Sequence, residues 1–198
     1  MMRHRIEAAV IGASAGALDA LSALLSRLPR EFPLPLLIVT HLPPDRDSLL
    51  CSLLAAKCQI TVREAEDKEP ITPGVAFVAP PDYHLLVETD QRLSLSSDEA
   101  VQFSRPSIDV LFESAADAYG PALIGVILTG ANDDGARGLR AIVSAGGVAL
   151  VQRTDLAYAS AMPKAALAAC PPGTVTVSGE PVALAFGEDG ALAPMELG

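Results

Sequence analysis

Two stretches, LLIVT (36–40) and ALIGVILTG (122–130), are apolar at nearly every position. A strand with one wet face alternates polar and apolar side chains, so an unbroken apolar run belongs to a strand covered on both faces. Helices must supply that cover, and helix-period segments do separate the apolar runs. Residues 8–11 predict strand one. Leu18, Leu21, Leu25 and Leu28 then recur at three- and four-residue steps, which predicts a helix over 17–28 closed by Pro29. After LLIVT comes a helical stretch from Asp47, its expected N-cap, to Lys57. QITVREA (59–65) and GVAFVAPP (74–81) predict two more strands. HLLVETDQRLSLS (84–96) predicts a hairpin turning near Thr89-Asp90-Gln91, and Ser97–Pro106 a polar loop.

The second half repeats the alternation. Ile108, Leu111, Phe112, Ala115, Ala116 and Tyr119 predict a helix over 107–119 capped by Ser107. ALIGVILTG is followed by a helix over 133–147, ended by Gly146-Gly147. VALVQ (148–152), a short helix from Pro163 and a last strand TVTVS (174–178) complete the set. This order predicts an α/β fold: a doubly wound, mostly parallel sheet with helices on both faces and one β-hairpin. No linker or repeat divides the chain, so a single domain is expected over residues 6–186, with 187–198 as a C-terminal tail.

Composition narrows the function. The 198 residues are 50% hydrophobic and carry a net charge of −10. That balance gives a packed globular chain and argues against nucleic-acid binding, which needs a basic surface. No apolar run approaches the roughly 20 residues that span a bilayer, so no membrane insertion is expected. The N-terminal apolar run is interrupted by Glu7 and meets Gly12 at once, unlike a secretory leader. Cys51, Cys58 and Cys170 are odd in number and form no CxxC, which argues against a zinc cage or a disulfide framework. A cytoplasmic location is expected.

In doubly wound sheets function gathers beyond the carboxyl ends of the strands. Strand one ends in Gly12-Ala13-Ser14-Ala15-Gly16, strand two in Thr40-His41, and ALIGVILTG in a loop holding Asp133 and Asp134. A serine, a histidine and a carboxylate are the parts of an acyl-transfer triad. A serine hydroxyl attacks an ester only as a base removes its proton. Imidazole suits that role near neutral pH, and a carboxylate orients it. Each residue also has a plain reading. Ser14 can be a small residue at a tight turn, His41 a packed histidine, and either aspartate a turn or helix-start residue. Of three histidines, only His41 directly follows a buried strand; His4 precedes the fold and His84 opens the hairpin.

The segments VIGASAGALDAL, VTHLPPD, ITPGVAFVAPPDYHLLV, RPSIDVLFESAA, IGVILTGANDDGARGL, AIVSAGGVALVQ and AMPKAAL occur in this order. Together they resemble the catalytic domain of the chemotaxis protein-glutamate methylesterases, the CheB family, over roughly residues 6–178. The resemblance implies a Ser-His-Asp triad of Ser14, His41 and Asp134, the aspartate directly before glycine. It implies an oxyanion hole of the His41 and Ala131 backbone N–H groups, with no metal or cofactor. The implied reaction is hydrolysis of glutamate γ-methyl esters on the cytoplasmic helices of methyl-accepting chemoreceptors, with deamidation of receptor glutamines beside it. Typical family members carry a phosphoacceptor receiver domain ahead of the esterase. The resemblance here begins at the catalytic domain, so a separate receiver-domain or chemotaxis signalling protein is the expected regulator.

This chain departs from the family pattern at three points. Gly16-Ala17 stands where two glycines are usual, and Ala131 and Asn132 replace a methionine and a glycine. Asn132 is expected to strain the backbone if that position needs a left-handed φ. Two other readings compete. VIGASAGAL resembles a dinucleotide-binding turn of a short-chain dehydrogenase, but no acidic residue ends strand two and no tyrosine has a lysine four residues on. A non-catalytic receptor-binding module on the same fold is the other.

Overall fold

The computed structural model describes residues 5–41 and 47–178; the side chains of 47–48 and 176–178 are not described. The elements run β1 (Ala8–Ala13), α1 (Ala17–Leu25), β2 (Leu36–Thr40), α2 (Asp47–Ala55), β3 (Thr61–Glu64), β4 (Val75–Val78), β5 (His84–Val87), β6 (Leu93–Ser96), α3 (Ile108–Tyr119), β7 (Leu123–Ile127), α4 (Ala136–Ser144), β8 (Val148–Gln152), α5 (Ala161–Ala169) and β9 (Val175–Ser178). Seven strands form one parallel sheet in the order β3-β4-β2-β1-β7-β8-β9, and β5 and β6 pair as a separate antiparallel hairpin. The predicted doubly wound sheet and the hairpin are both present. Among the described residues no helix is long and apolar enough to cross a membrane.

Alternation along each central strand divides the core in two. Ala9, Ile11 and Ala13 of β1 pack with Leu21, Leu24 and Leu25 of α1 and Leu50 and Leu54 of α2. Ala8 and Val10 point the other way, toward Leu111 and Phe112 of α3, Leu139 and Ile142 of α4, and the hairpin residues Leu85 and Leu93. Both faces being dry explains why these strands read as continuous apolar runs. Because β1 lies between β2 and β7, the carboxyl ends of these three strands are neighbours.

Several element ends differ from expectation. Helix α1 stops at Leu25, and the N–H groups of Arg27 and Leu28 turn to carbonyls three residues back. Pro29 disfavours a helical Leu28, so the last turn tightens instead of continuing. Strand β1 runs two residues past the predicted Ile11. Helix α5 starts at Ala161, two residues before Pro163, which sits where the N–H has no intrahelical acceptor to lose; the first such bond is from Lys164 N–H to Ser160 O, 3.0 Å. Helix α4 starts at Ala136, later than predicted, with Asp133, Asp134 and Gly135 ahead of it. The capping predicted for Asp47 and the tail at 187–198 fall outside what is described.

Ser107 occupies the N-cap position of α3, but its side chain makes no capping bond. The caps come from across the structure. Asp134 accepts the N–H groups of Ile108 (2.7 Å) and Asp109 (3.0 Å). Asp109, in the first turn of α3, accepts those of Gly135 (3.0 Å) and Gly138 (2.7 Å) at the start of α4. A carboxylate at each helix start thus accepts the other's otherwise unpaired N–H groups, where negative charge also meets the positive end of the helix dipole. Both carboxylates are completely buried.

Burial pushes the Asp109 carboxyl above its ordinary value, and the nearby Asp134 charge adds to the rise; the Gly138 N–H and Arg137 oppose it. Its Oδ2 has no hydrogen bond, although Arg137 Nη2 lies 3.8 Å away. The capping work is therefore done by Oδ1 alone. Asp109→Ala leaves two buried N–H groups unpaired and is expected to cost about 2 kcal/mol in urea unfolding. Asp109→Asn keeps the Oδ1 acceptor and should lose clearly less. Equal losses in the two variants would contradict the capping role.

Candidate active site

The strand ends are stitched together by backbone. The parallel register pairs Ala13 with Thr40, so Ser14 and His41 are the next positions on adjacent strands. His41 N–H donates to Ala13 O (3.3 Å), and Ser14 N–H donates to Thr129 O (2.9 Å) beyond β7. The Thr129 hydroxyl donates to Ala15 O (2.8 Å) and accepts the Ala159 N–H (2.9 Å), which ties the turn after β1 to the segment before α5.

The glycines around Ser14 have separate reasons. A Cβ on Gly12 would come within 2.4 Å of Ile108 Cγ2, so glycine lets α3 lie against β1. Gly16 has φ +81° at the N-cap of α1, and its Cβ would meet Tyr158 Cβ at 2.8 Å. The left-handed residue of this turn is therefore Gly16. Ser14 is not among the non-glycine residues with positive φ. The turn thus differs from the α/β-hydrolase elbow, where the strained residue is the serine.

His41 and Asp134 meet. His41 Nε2–H donates to Asp134 Oδ2 at 2.7 Å, with the imidazole 14% exposed and the carboxylate fully buried. The Ser107 hydroxyl donates to Asp134 Oδ1 at 2.8 Å. Burial alone would raise the Asp134 carboxyl, but the bonds from His41, from the Asp109 and Ile108 N–H groups and from Ser107 hold it below its ordinary value. It is an anion prepared to orient an imidazole and to balance its positive charge. Asp133, the other aspartate the spacing left open, is exposed, and its carbonyl accepts the Ala136 N–H at 3.2 Å. It makes a turn.

The remaining expected residues are placed as follows. Ser14 is half-buried, and among the described residues its hydroxyl has no hydrogen-bond partner. The Ala131 N–H likewise has no acceptor among them, whereas the His41 N–H is engaged by Ala13 O. Asn132 is absent from the residues with positive φ, so the expected strain at that family glycine position does not arise. Instead its side chain reaches the site: Nδ2 lies 3.2 Å from His41 Nδ1. The His-x-Pro-Pro loop beyond His41 lies outside the described residues.

Three supporting residues, His84, Ser107 and Asp109, carry no local sequence signal of this role. His84 Nδ1 accepts the Ser107 N–H (3.1 Å), and its Nε2–H donates to Glu99 O (3.0 Å), which anchors Ser107 beneath Asp134. The sequence marks Ser107 only as a cap of its own helix. Nothing in the local sequence points to a part for Asp109. Their partners lie 15 to 29 residues away in sequence, so local spacing carries no trace of these contacts. The dinucleotide alternative is not favoured: His41, bonded to Asp134, follows β2 where a ribose-binding acid would stand.

Comparison with known proteins identifies the family. The family model described as CheB methylesterase matches residues 9–178. A Leptospira interrogans protein, provisionally named a protein-glutamate methylesterase/protein-glutamine glutaminase, is 50% identical over 163 residues, which cover 82% of this chain and 84% of that one. A Bradyrhizobium diazoefficiens protein-glutamate methylesterase/protein-glutamine glutaminase of group 3 operon is 42% identical over 80% of this chain, but the match spans only 44% of that protein. The crystal structure of the Thermotoga maritima CheB methylesterase catalytic domain superposes with a TM-score of 0.82 at 30% identity, over 88% of this chain and 92% of that one. With that sheet, those strand ends and a family match across most of its length, the chain belongs to the CheB methylesterase family.

Proposed function

We propose that this protein is a serine esterase that removes methyl groups from glutamate γ-methyl esters on the cytoplasmic helices of chemoreceptors, and that it deamidates receptor glutamines at the same site. The observation that carries this reading is the 2.7 Å bond between His41 and the buried Asp134, one strand from Ser14. The names of the relatives support the substrate class. A net charge of −10 fits a protein partner better than a nucleic acid. In this reading the protein works in the cytoplasm, under the control of a separate receiver-domain or signalling protein. A purely non-catalytic module would have no use for an imidazole held by a buried carboxylate at a strand end.

In the proposed cycle His41 Nδ1 takes the Ser14 proton as Oγ attacks the ester carbonyl. Asp134 holds the Nε2–H and stabilises the imidazolium. The tetrahedral oxyanion is received by the Ala131 N–H and by the N-terminal end of α1. The His41 N–H contributes as a second donor only when its long bond to Ala13 O yields. The imidazolium then protonates the departing methoxide, and methanol leaves. Water, deprotonated by the same imidazole, hydrolyses the glutamyl ester of Ser14 and leaves a free glutamate. With glutamine as substrate the first leaving group is ammonia.

Methanol release from methylated chemoreceptor tests the reading. Ser14→Ala should abolish turnover and leave the unfolding midpoint near wild type; wild-type turnover would overturn the assignment. Asp134→Asn should lose at least 10²-fold in kcat, and Asp133→Asn less than about threefold. The reverse order would move the orienting role to Asp133.

Acid stability gives a second check. Asp134 has a depressed carboxyl in the folded state, so its contribution to stability is fully present above the ordinary carboxylate range, about pH 4–5. It is lost as pH falls through the lower folded value. Urea unfolding between pH 6 and pH 3 should therefore show a steeper loss for wild type than for Asp134→Asn. Parallel slopes would contradict an ionised Asp134.

A further inference from the structure

The imidazole of His41 has both ring nitrogens engaged, and only one of them by the group that orients it. Asn132 lies half-buried in the loop between β7 and α4. Its Oδ1 accepts the Asp134 N–H at 3.3 Å, which leaves Nδ2 facing His41 Nδ1 at 3.2 Å. On the other side the ionised Asp134 can only accept, so the single proton of a neutral imidazole sits on Nε2. The Nδ1 lone pair is the basic one, and the Asn132 amide points its donor at it. A lone pair accepts one good hydrogen bond. In the proposed cycle the Ser14 hydroxyl needs that same acceptor, and in this structure Asn132 holds it.

We propose that Asn132 is a positioning residue that latches His41 in the unreacted site and yields Nδ1 to Ser14 when an ester enters. This rests on the reading of Ser14 and His41 given above. The device is compact because Asn132 directly follows Ala131, whose N–H has no acceptor among the described residues and is the donor proposed for the substrate carbonyl. A carbonyl that docks on Ala131 presses on the loop carrying the latch. Substrate binding and arming of the base are thereby coupled, and Ser14 stays weakly nucleophilic until the carbonyl is in place. The competing explanation is local: Asn132 Oδ1 bonded to the N–H two residues on is an Asx-type turn that needs no imidazole.

Three variants separate the two explanations. The first readout is the rate at which a fluorophosphonate probe modifies Ser14, followed by intact-protein mass. The second is the imidazole region of ¹H–¹⁵N spectra of histidine-labelled protein at neutral pH. With the latch, Asn132→Ala frees Nδ1 and speeds labelling about fivefold, the equivalent of one ordinary hydrogen bond of about 1 kcal/mol. Asn132→Asp keeps the turn acceptor but turns the donor into an acceptor, which traps a proton on Nδ1 and slows labelling below wild type. The Nδ1 resonance moves to the position of an unbonded ring nitrogen in Asn132→Ala and stays as in wild type in Ser14→Ala. A turn-only role predicts the opposite ranking, with Asn132→Asp like wild type and Asn132→Ala slower, and an unmoved Nδ1 signal; that result overturns the latch. If Ser14→Ala is labelled as fast as wild type, the reading of Ser14 itself falls, whatever Asn132 does.

Discussion

A single buried carboxylate holds this structure's site together. Asp134 Oδ2 receives His41 Nε2–H and the Ile108 N–H, and Oδ1 receives the Ser107 hydroxyl and the Asp109 N–H. A buried carboxylate without partners would protonate or cost several kcal/mol. Four donors keep it charged. Three of them belong to the start of α3, so the group that orients the imidazole also fixes the helix that covers that face of the sheet. Asp109 returns the favour at the start of α4. Loosening either helix start changes the position of His41's partner, so fold stability and site geometry are coupled here through hydrogen bonds as well as packing.

The sheet supplies the rest of the geometry. With β1 flanked by β2 and β7, the residues that follow each strand are brought together by the register alone. That is why a serine, a histidine and an aspartate separated by 27 and 93 residues stand beyond three neighbouring strand ends. Glycine is needed where helices crowd this edge: Gly12 admits Ile108, and Gly16 lets the chain turn into α1 under Tyr158. The first turn of α1 then places a positive helix end behind Ser14.

Much of this is legible in the sequence because it depends on periodicity. Fully apolar runs such as LLIVT mark central parallel strands, and the three- and four-residue spacing on 107–119 marks α3. The strand-end residues follow from the fold class. Other features are not local and leave no pattern. Ser107 looks like a helix cap and instead serves Asp134, 27 residues on. Asp109 carries no signal of its own in the sequence, yet its carboxylate binds the start of the next helix. Asn132 reads as a strained replacement for glycine, because a sequence does not say whether a loop position is left-handed. In the structure it is not, and its amide is free to reach His41.

The proposed chemistry requires that a glutamyl group pass through Ser14. Acid-quenching the enzyme during turnover on methylated receptor, followed by trypsin and tandem mass spectrometry, reads this out on the peptide spanning residues 6–27. The account predicts an acyl adduct on Ser14, absent in Ser14→Ala and accumulated only while ester remains. Methanol release with the acyl group on another residue, or on Ser22 or Ser26 of the same peptide, would contradict it.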